Sequence, residues 1–191
     1  MATTDLIVAG FGGQGILFLG EILARAAVLE GKDVTWLPSY GPEQRGGTAT
    51  CTVVIGDETI GSPVVADPAI VIVMNRPSLD KFEPRVRPGG LVIINASMVD
   101  RSVRRSDVRV IEVDAMPQAA ALGDARMANM VMLGALLAAA PVVSVEAVGR
   151  ALRDHFPPPH APQAAANIAA VARGLTLGLR REPKRASSIG A

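Results

Sequence analysis

Four glycines lie within the six-residue stretch GFGGQG, which directly follows a short apolar run. The spacing matches the G-x-G-x-x-G pattern of a phosphate-binding turn between a strand and a helix. Without side chains the backbone can approach an anion closely, and the first N–H groups of the helix can bind it. A tight turn that packs closely and holds no ligand would use the same residues. The candidate binding residues of this first loop are Gly10, Gly12, Gly13, Gln14 and Gly15.

The residues that follow the first loop disfavour a nicotinamide dinucleotide as the ligand. Such a site expects a carboxylate at the end of the second strand, about 20 residues further on, to bind a ribose hydroxyl. The corresponding stretch, TWLPS, has no carboxylate, and Asp33 precedes the apolar residues of that strand. The Lys-Ser/Thr pair of a P-loop is also missing, because Ile16 and Leu17 follow the loop instead.

A second polar loop, SYGPEQRGG, begins where the second strand is predicted to end. Open α/β sheets bind ligands at the carboxyl ends of their strands, so the two loops should lie together. An arginine would supply a fixed cation, and paired glycines would expose backbone groups to an anion. A solvated loop with an ordinary Glu43–Arg45 pair is the alternative. The candidate residues of this second loop are Ser39, Tyr40, Arg45, Gly46 and Gly47.

Asparagines follow two further apolar runs. Asn75 comes after IVIVM, where it either lines the same cleft or caps the next helix, and it is retained as a candidate binding residue. Asn95 has the same two interpretations, whereas Ser97 is interpreted as a turn or capping residue.

Apolar strands alternate with helical segments along most of the chain. This predicts an α/β fold: a single-domain, Rossmann-like, three-layer sandwich with a largely parallel or mixed central sheet and helices on both faces. A hairpin at GDETIG is expected to lead into an edge strand near Ile60. The second strand is expected to stop at Pro38. The predicted strands are 6–9, 34–37, 48–55, 70–74, 91–94 and 108–113, and the predicted helices are 14–30, 115–122, 128–139, 144–152 and 164–179.

The composition limits the classes of function. A formal net charge of +1 on 191 residues gives no support for nucleic-acid binding. Cys51 is the only cysteine, which excludes a four-cysteine iron–sulfur site within the chain and suits a reducing, cytoplasmic setting. The longest apolar stretch, 127–143, is interrupted and predicts a buried helix rather than a membrane span. We expect a domain at 1–180 and a flexible basic tail at 181–191.

Five segments in order resemble the gamma subunit of 2-oxoacid:ferredoxin oxidoreductases. They are GFGGQGI, TWLPSYGPEQRGGTATC, GSPVV, MNRPSLDKFEP and PGGLVIINAS. The likeness runs from about residue 6 to residue 140 and is weak beyond it. It is closest to the 2-oxoglutarate or branched-chain 2-oxoacid type.

The resemblance implies a multi-subunit enzyme that decarboxylates a 2-oxoacid on thiamine diphosphate, reduces ferredoxin through 4Fe-4S clusters and forms an acyl-CoA. The implied partners are thiamine-binding alpha and beta subunits and a ferredoxin-like delta subunit, which together carry the thiamine diphosphate and the clusters. The gamma subunit would contribute to coenzyme A binding and assembly, with no catalytic residue of its own. Two alternatives stay open: a free-standing Rossmann-like nucleotide-binding oxidoreductase, and a purely structural subunit.

The first testable prediction concerns the isolated chain, which should be colourless and should reduce no viologen dye with any 2-oxoacid and coenzyme A. The reason is that the chain has a single cysteine and lacks a GDG thiamine motif with a downstream asparagine. An anaerobic dye-reduction assay measures this. Robust activity of the purified polypeptide would contradict the subunit interpretation.

Overall fold

The computed structural model describes residues 3–41, 47–179 and 184–185, the last pair by its backbone alone. The described residues form one seven-stranded sheet and six α-helices. The strands are β1 (Thr4–Phe11), β2 (Asp33–Tyr40), β3 (Thr48–Gly56), β4 (Ile70–Val73), β5 (Leu91–Asn95), β6 (Arg109–Val113) and β7 (Lys184–Arg185). The helices are α1 (Ile16–Leu29), α2 (Arg76–Phe82), α3 (Ala115–Ala120), α4 (Ala128–Ala139), α5 (Val145–His155) and α6 (Ala161–Leu179).

The sheet is mixed, with the strand order β2-β3-β1-β4-β5-β6-β7. Strands β1, β4, β5 and β6 are mutually parallel, whereas β3 runs antiparallel to both of its neighbours, β1 and β2. The carboxyl ends of β1, β2, β4, β5 and β6 therefore meet at one edge of the sheet, which we call the carboxyl edge. Both candidate loops begin there.

Helices cover both faces of the sheet, as predicted. The larger core packs α1, α4, α5 and α6 against residues such as Leu6, Ile72 and Ile93. The smaller core packs α2 against the alternate side chains of the same strands, such as Ile7 and Val71. The near absence of polar residues in β4 and β5 follows from this burial on two sides.

The prediction that Pro38 ends the second strand was wrong, because β2 continues to Tyr40. The N–H of Val34 donates to the Asp33 carboxylate at 3.1 Å, and the N–H of Gly41 donates to the Thr48 carbonyl at 2.7 Å. Since N–H groups alternate in direction along a strand, odd-numbered residues face β3 and even-numbered residues face outward. Pro38 belongs to the outward set of an outer strand, so its missing N–H removes no ladder bond.

The predicted edge strand near Ile60 was also wrong. Both sides of β3 are already paired, one with β2 and the other with β1, so no edge of β3 is free for a following strand. The segment after β3 forms turns and bends, and the N–H of Ile60 donates to the Asp33 carboxylate at 2.7 Å. The antiparallel edge exists, but β2 and β3 form it.

The other predicted elements are present with shifted ends. The helix predicted at 14–30 is α1, and Gly31 after it has the expected left-handed backbone, with a φ of +73°. The helix predicted at 128–139 coincides with α4, which is buried as expected. None of the helices in the described ranges is both long enough and apolar enough to cross a membrane. The domain boundary at residue 180 and the flexible tail stay predictions, since only 184–185 of that tail are described.

Helices α4 and α6 approach so closely that their backbones touch. A Cβ on Gly174 would lie 1.9 Å from the Val131 carbonyl oxygen, and one on Gly134 would lie 2.0 Å from the Val171 carbonyl oxygen. Because no side chain fits between two backbones at this distance, the crossing depends on glycine. The crossing also holds α4 in place, and the start of α4 reaches the carboxyl edge.

We therefore expect Gly174→Ala to destabilise the fold by about 1–3 kcal/mol, because the methyl group forces α4 and α6 apart. The matched control is Gly149→Ala on α5, where a Cβ would meet only the end of the Arg153 side chain, at 3.5 Å. That variant should be neutral or more stable, since alanine favours a helix over glycine. Urea unfolding of both variants measures the difference, and equal stabilities would contradict the assigned packing.

Candidate functional site

The first loop turns sharply from β1 into α1. Gly13 and Gly15 have φ values of +91° and +72°, a region that residues with a side chain rarely adopt. Gly15 is the N-cap of α1, and no side chain caps that helix terminus. The turn therefore needs glycine at these two positions for its own geometry, whatever it binds.

The side chain of Gln14 holds this turn to the end of β4. Its Oε1 accepts hydrogen bonds from the Phe11 N–H at 2.7 Å and from Asn75 Nδ2 at 3.2 Å. Its Nε2 donates to the Met74 carbonyl at 3.2 Å. A Cβ on Gly10 would lie 2.6 Å from Gln14 Oε1, so Gly10 makes room for this amide. The structure thus gives Gly10 and Gln14 an internal role in holding the turn.

The Gln14 amide lies between the carboxyl ends of β1 and β4. Helix α1 leaves β1 for one face of the sheet and α2 leaves β4 for the other, so this is where an open α/β sheet has its ligand crevice. The Gln14 side chain therefore occupies part of this crevice.

The free donors of the first loop lie further along the chain. The Gly12 N–H is already bonded to the Gly47 carbonyl at 2.9 Å. By contrast, no described residue accepts a hydrogen bond from the N–H groups of Gly13, Gly15, Ile16 or Leu17. A Cβ on Gly13 would meet no described atom within 4 Å, so the space beside Gly13 is open among the described residues. These N–H groups and the positive end of the α1 dipole can bind an anion.

The described residues at the two ends of the second loop lie at the carboxyl edge, beside the first loop. Ser39 and Tyr40 end β2 at the carboxyl edge and are both exposed, whereas Gly47 is buried and bonded to Gly12. β3 begins between the two loops, so β2 is separated from β1 by one strand. Arg45 and Gly46 lie outside the described residues.

Asn75 caps the next helix, which is one of the two roles that its sequence position suggested. Its Oδ1 accepts from the Ser78 N–H at 2.9 Å and caps α2, while its Nδ2 donates to Gln14. The side chain is buried, so it supports the first loop from beneath.

Asn129 is a contributor that the sequence interpretation missed. Its Nδ2 donates to the Gly15 carbonyl at 3.1 Å, and its Oδ1 accepts from the Met130 N–H at 2.9 Å. The side chain therefore joins the start of α4 to the start of α1. The available signal was a lone amide within an otherwise apolar buried helix, where a polar group needs a partner.

The remaining polar side chains of the carboxyl edge serve the scaffold. Ser97 Oγ accepts from the Met116 N–H at 3.1 Å and so caps α3, in agreement with its interpretation as a capping residue. Asn95 is fully buried, and its Oδ1 accepts from the Ser97 N–H at 3.3 Å, whereas its Nδ2 has no partner among the described atoms. Asn95 thus forms a local turn under the edge.

The described cations near this edge are neutralised. Arg76 pairs with Asp80 and Asp100, at 3.7 and 3.1 Å, and Arg126 pairs with Asp124 at 2.7 Å. Hydrogen bonds from Arg126 hold the pKa of the Asp124 carboxyl below its usual range. In the described ranges no cluster of three or more His, Cys, Asp or Glu residues could hold a metal ion.

Comparison with known proteins assigns this arrangement to a family. The family model described as pyruvate ferredoxin/flavodoxin oxidoreductase matches residues 5–177. The chain belongs to this family.

Two curated members of the family are similar to this chain. The ketoisovalerate oxidoreductase subunit VorA of Methanothermobacter marburgensis is 47% identical over 131 residues, which cover 69% of this chain and 27% of that protein. The chain thus spans about a quarter of VorA. The 2-oxoglutarate synthase subunit KorC of Methanothermobacter thermautotrophicus is 37% identical over 161 residues, covering 81% of this chain and 85% of that protein.

Two solved structures share the fold. The gamma subunit of a keto/oxoacid ferredoxin oxidoreductase from Geobacter sulfurreducens has a TM-score of 0.80 at 27% identity, over 93% of this chain and 99% of that chain. The 2-oxoglutarate:ferredoxin oxidoreductase from Magnetococcus marinus, solved with 2-oxoglutarate, coenzyme A and succinyl-CoA bound, has a TM-score of 0.87 at 21% identity. The match covers all of this chain and 33% of that chain, and at this identity it shows the fold alone. These comparisons confirm the family resemblance and the α/β fold.

The internal role of Gln14 leads to a stability prediction. Gln14→Leu should destabilise the chain by about 1–3 kcal/mol, because it leaves the Phe11 N–H and the buried Asn75 amide without their partner. The control is Gln118→Leu, which removes only an exposed hydrogen bond of 2.7 Å to Arg173 and should change stability by about 0.5 kcal/mol or less. Chemical denaturation distinguishes the two. A Gln14 variant as stable as its control would show that these hydrogen bonds do not stabilise the turn.

Proposed function

We propose that this chain is a gamma-type subunit of a CoA-acylating 2-oxoacid:ferredoxin oxidoreductase and that its first loop binds a phosphate of coenzyme A. The observation that carries the proposal is that the N–H groups of Gly13, Gly15, Ile16 and Leu17, at the start of α1, have no acceptor among the described residues. Membership of the oxidoreductase family supports the choice of enzyme class.

The loop would position the cosubstrate without taking part in bond making. A phosphate beside Gly13 and Gly15 would accept hydrogen bonds from the backbone and gain from the α1 dipole. Arg45 and Gly46 follow Tyr40 and precede Gly47, which contacts the first loop. We propose that Arg45 adds the cation that the described residues of this edge leave out, and that Ser39 and Tyr40 border the ligand. When bound, coenzyme A would supply the thiol that accepts the acyl group.

The chemistry of decarboxylation and electron transfer then belongs to partner subunits. We propose alpha and beta subunits that bind thiamine diphosphate, a ferredoxin-like delta subunit with 4Fe-4S clusters, and ferredoxin as the final acceptor, all in the cytoplasm. This proposal is supported by two relatives of the chain, which are subunits of a ketoisovalerate oxidoreductase and of a 2-oxoglutarate synthase.

A purely structural subunit is the strongest competitor, because the Phe11, Gly12 and Gln14 N–H groups are all bonded within the protein. A free-standing nicotinamide enzyme has less support. Gln14 occupies part of the crevice between β1 and β4, and β3 separates the end of β2 from the first loop. A fluorescence titration of the isolated chain with NAD(P)H would reveal such an enzyme by saturable binding.

Gly12→Val in the assembled complex tests the proposed binding site. A Cβ at Gly12 would meet only the Gly47 carbonyl oxygen, at 3.9 Å, and Gly12 does not need a left-handed backbone. The fold should therefore tolerate valine, while the branched side chain blocks the neighbouring donors. We expect the apparent affinity for coenzyme A to fall about ten- to a hundredfold, the range for hydrogen bonds to a charged group. The melting temperature of the isolated chain should not change.

The matched control is Gly61→Val, outside both loops, where a Cβ would meet nothing within 4 Å. It should leave both coenzyme A saturation and melting temperature unchanged. Arg45→Ala should weaken coenzyme A binding over a similar range. Normal saturation in both the Gly12 and Arg45 variants would favour the purely structural subunit.

A further inference from the structure

The outer strand β2 carries an apolar surface that is unusual for the edge of a sheet. Trp36, Leu37 and Tyr40 are 39%, 44% and 71% exposed. Edge strands commonly carry charged side chains that prevent pairing with another chain. The stretch from Val34 to Tyr40 contains no charged residue, and Pro38 is the one feature in it that hinders pairing.

The backbone of β2 also offers free hydrogen-bonding groups. Backbone groups alternate in direction along β2, so the N–H and C=O groups of Trp36 and Tyr40, like the nitrogen of Pro38, face away from β3. An added strand centred on Trp36 could bond to these groups, as in β-strand addition by peptides.

Beside this edge lies an apolar groove of about 450 Å³ between α1, α5 and β2, which we call the Trp36 groove. Trp36 lies against α1 there, because its ring nitrogen and the sulfur of the buried Cys51 are both beside Gly20. Burial raises the pKa of Cys51 to about 12, so this side chain stays a neutral thiol. The apolar lining residues are Ala24, Val28, Leu29, Trp36 and Ala151.

The charged rim of the groove defines the chemistry of its partner. Glu21 pairs with Arg25 at 2.9 Å and lies 3.6 Å from His155, whereas Asp154 forms no ion pair with any residue in the described ranges. A basic side chain of a partner would complement the Asp154 carboxylate.

The longer relatives indicate what kind of chain lies beside this domain. The matched region is 27% of VorA, and the same fold forms 33% of the Magnetococcus marinus chain. In both proteins the domain is therefore part of a larger polypeptide.

We propose that β2 and the Trp36 groove bind an extended segment of the partner polypeptide that corresponds to the remainder of VorA. The segment adds as a strand beyond β2, places an apolar side chain in the Trp36 groove and directs a basic side chain to Asp154. The inference rests on the proposed function, because it names the contact surface through which the subunit would join its complex.

Hydrogen exchange of the wild-type chain, alone and in the assembled complex, tests the docking directly. The partner is the polypeptide of the same organism that is similar to the part of VorA outside the matched region. The Trp36 and Tyr40 N–H groups should exchange at least about tenfold more slowly in the complex. The inward N–H groups of Thr35 and Leu37, which face β3, are the internal reference and should be protected in both samples.

Surface variants supply a second measurement. Val28→Lys in the groove and Leu37→Lys on β2 should each weaken association with the partner by about tenfold or more, as expected where an anchor is lost from an interface. The control is Val64→Lys, because Val64 is equally apolar and 74% exposed but lies outside β2 and the groove. It should leave association unchanged, and melting temperatures should show that all three variants fold.

Three other outcomes would overturn the inference, and each points to a different cause. If the complex forms and saturates with coenzyme A while exchange at Trp36 and Tyr40 is unchanged, the docking surface is wrong and the proposed function stands. If the two polypeptides do not associate, both fail. If Trp36 and Tyr40 are protected in the chain alone, increasingly so at higher concentration, a second copy of this chain occupies the edge.

Discussion

The carboxyl edge of the sheet depends on the side-chain amide of Gln14. This one group satisfies the Phe11 N–H, the Asn75 amide and the Met74 carbonyl, and so joins the turn after β1 to the end of β4. Asn75 in turn caps α2. A partly buried polar network of this kind is stable only when its members are paired. The position of the first loop therefore depends on all the residues that form the network.

The N–H groups of the first loop that can bind a ligand are those that this network leaves unbonded. Several donors of the loop are bonded internally, and the free ones lie at the start of α1. Asn129 supports that helix terminus from below by binding the Gly15 carbonyl, and the close crossing of α4 and α6 holds α4 in position. The proposed anion site therefore depends on packing that extends well beyond the glycines.

The insertion of β3 between β1 and β2 separates this protein from a simple dinucleotide-binding sheet. It places the end of β2 two strand spacings, roughly 10 Å, from the end of β1. It also leaves β2 as an outer strand with an exposed apolar side, although its backbone remains paired with β3. The same arrangement therefore disfavours one ligand class and creates the surface for which we propose a partner.

The sequence by itself determined the α/β class, most strands and helices, and the meeting of the two loops at one edge. These features follow from local periodicity and from glycine placement, both of which are properties of short segments. The strand order was decided by tertiary structure, since pairing β3 with both β1 and β2 consumed the edge that an Ile60 strand would need. β2 continues through Pro38 because the backbone nitrogen at this position faces away from β3. The pairing of β2 with β3 sets that direction. The roles of Gln14 and Asn129 likewise required coordinates, because their partners are 60 and 114 residues away in the sequence and no local pattern records such distances.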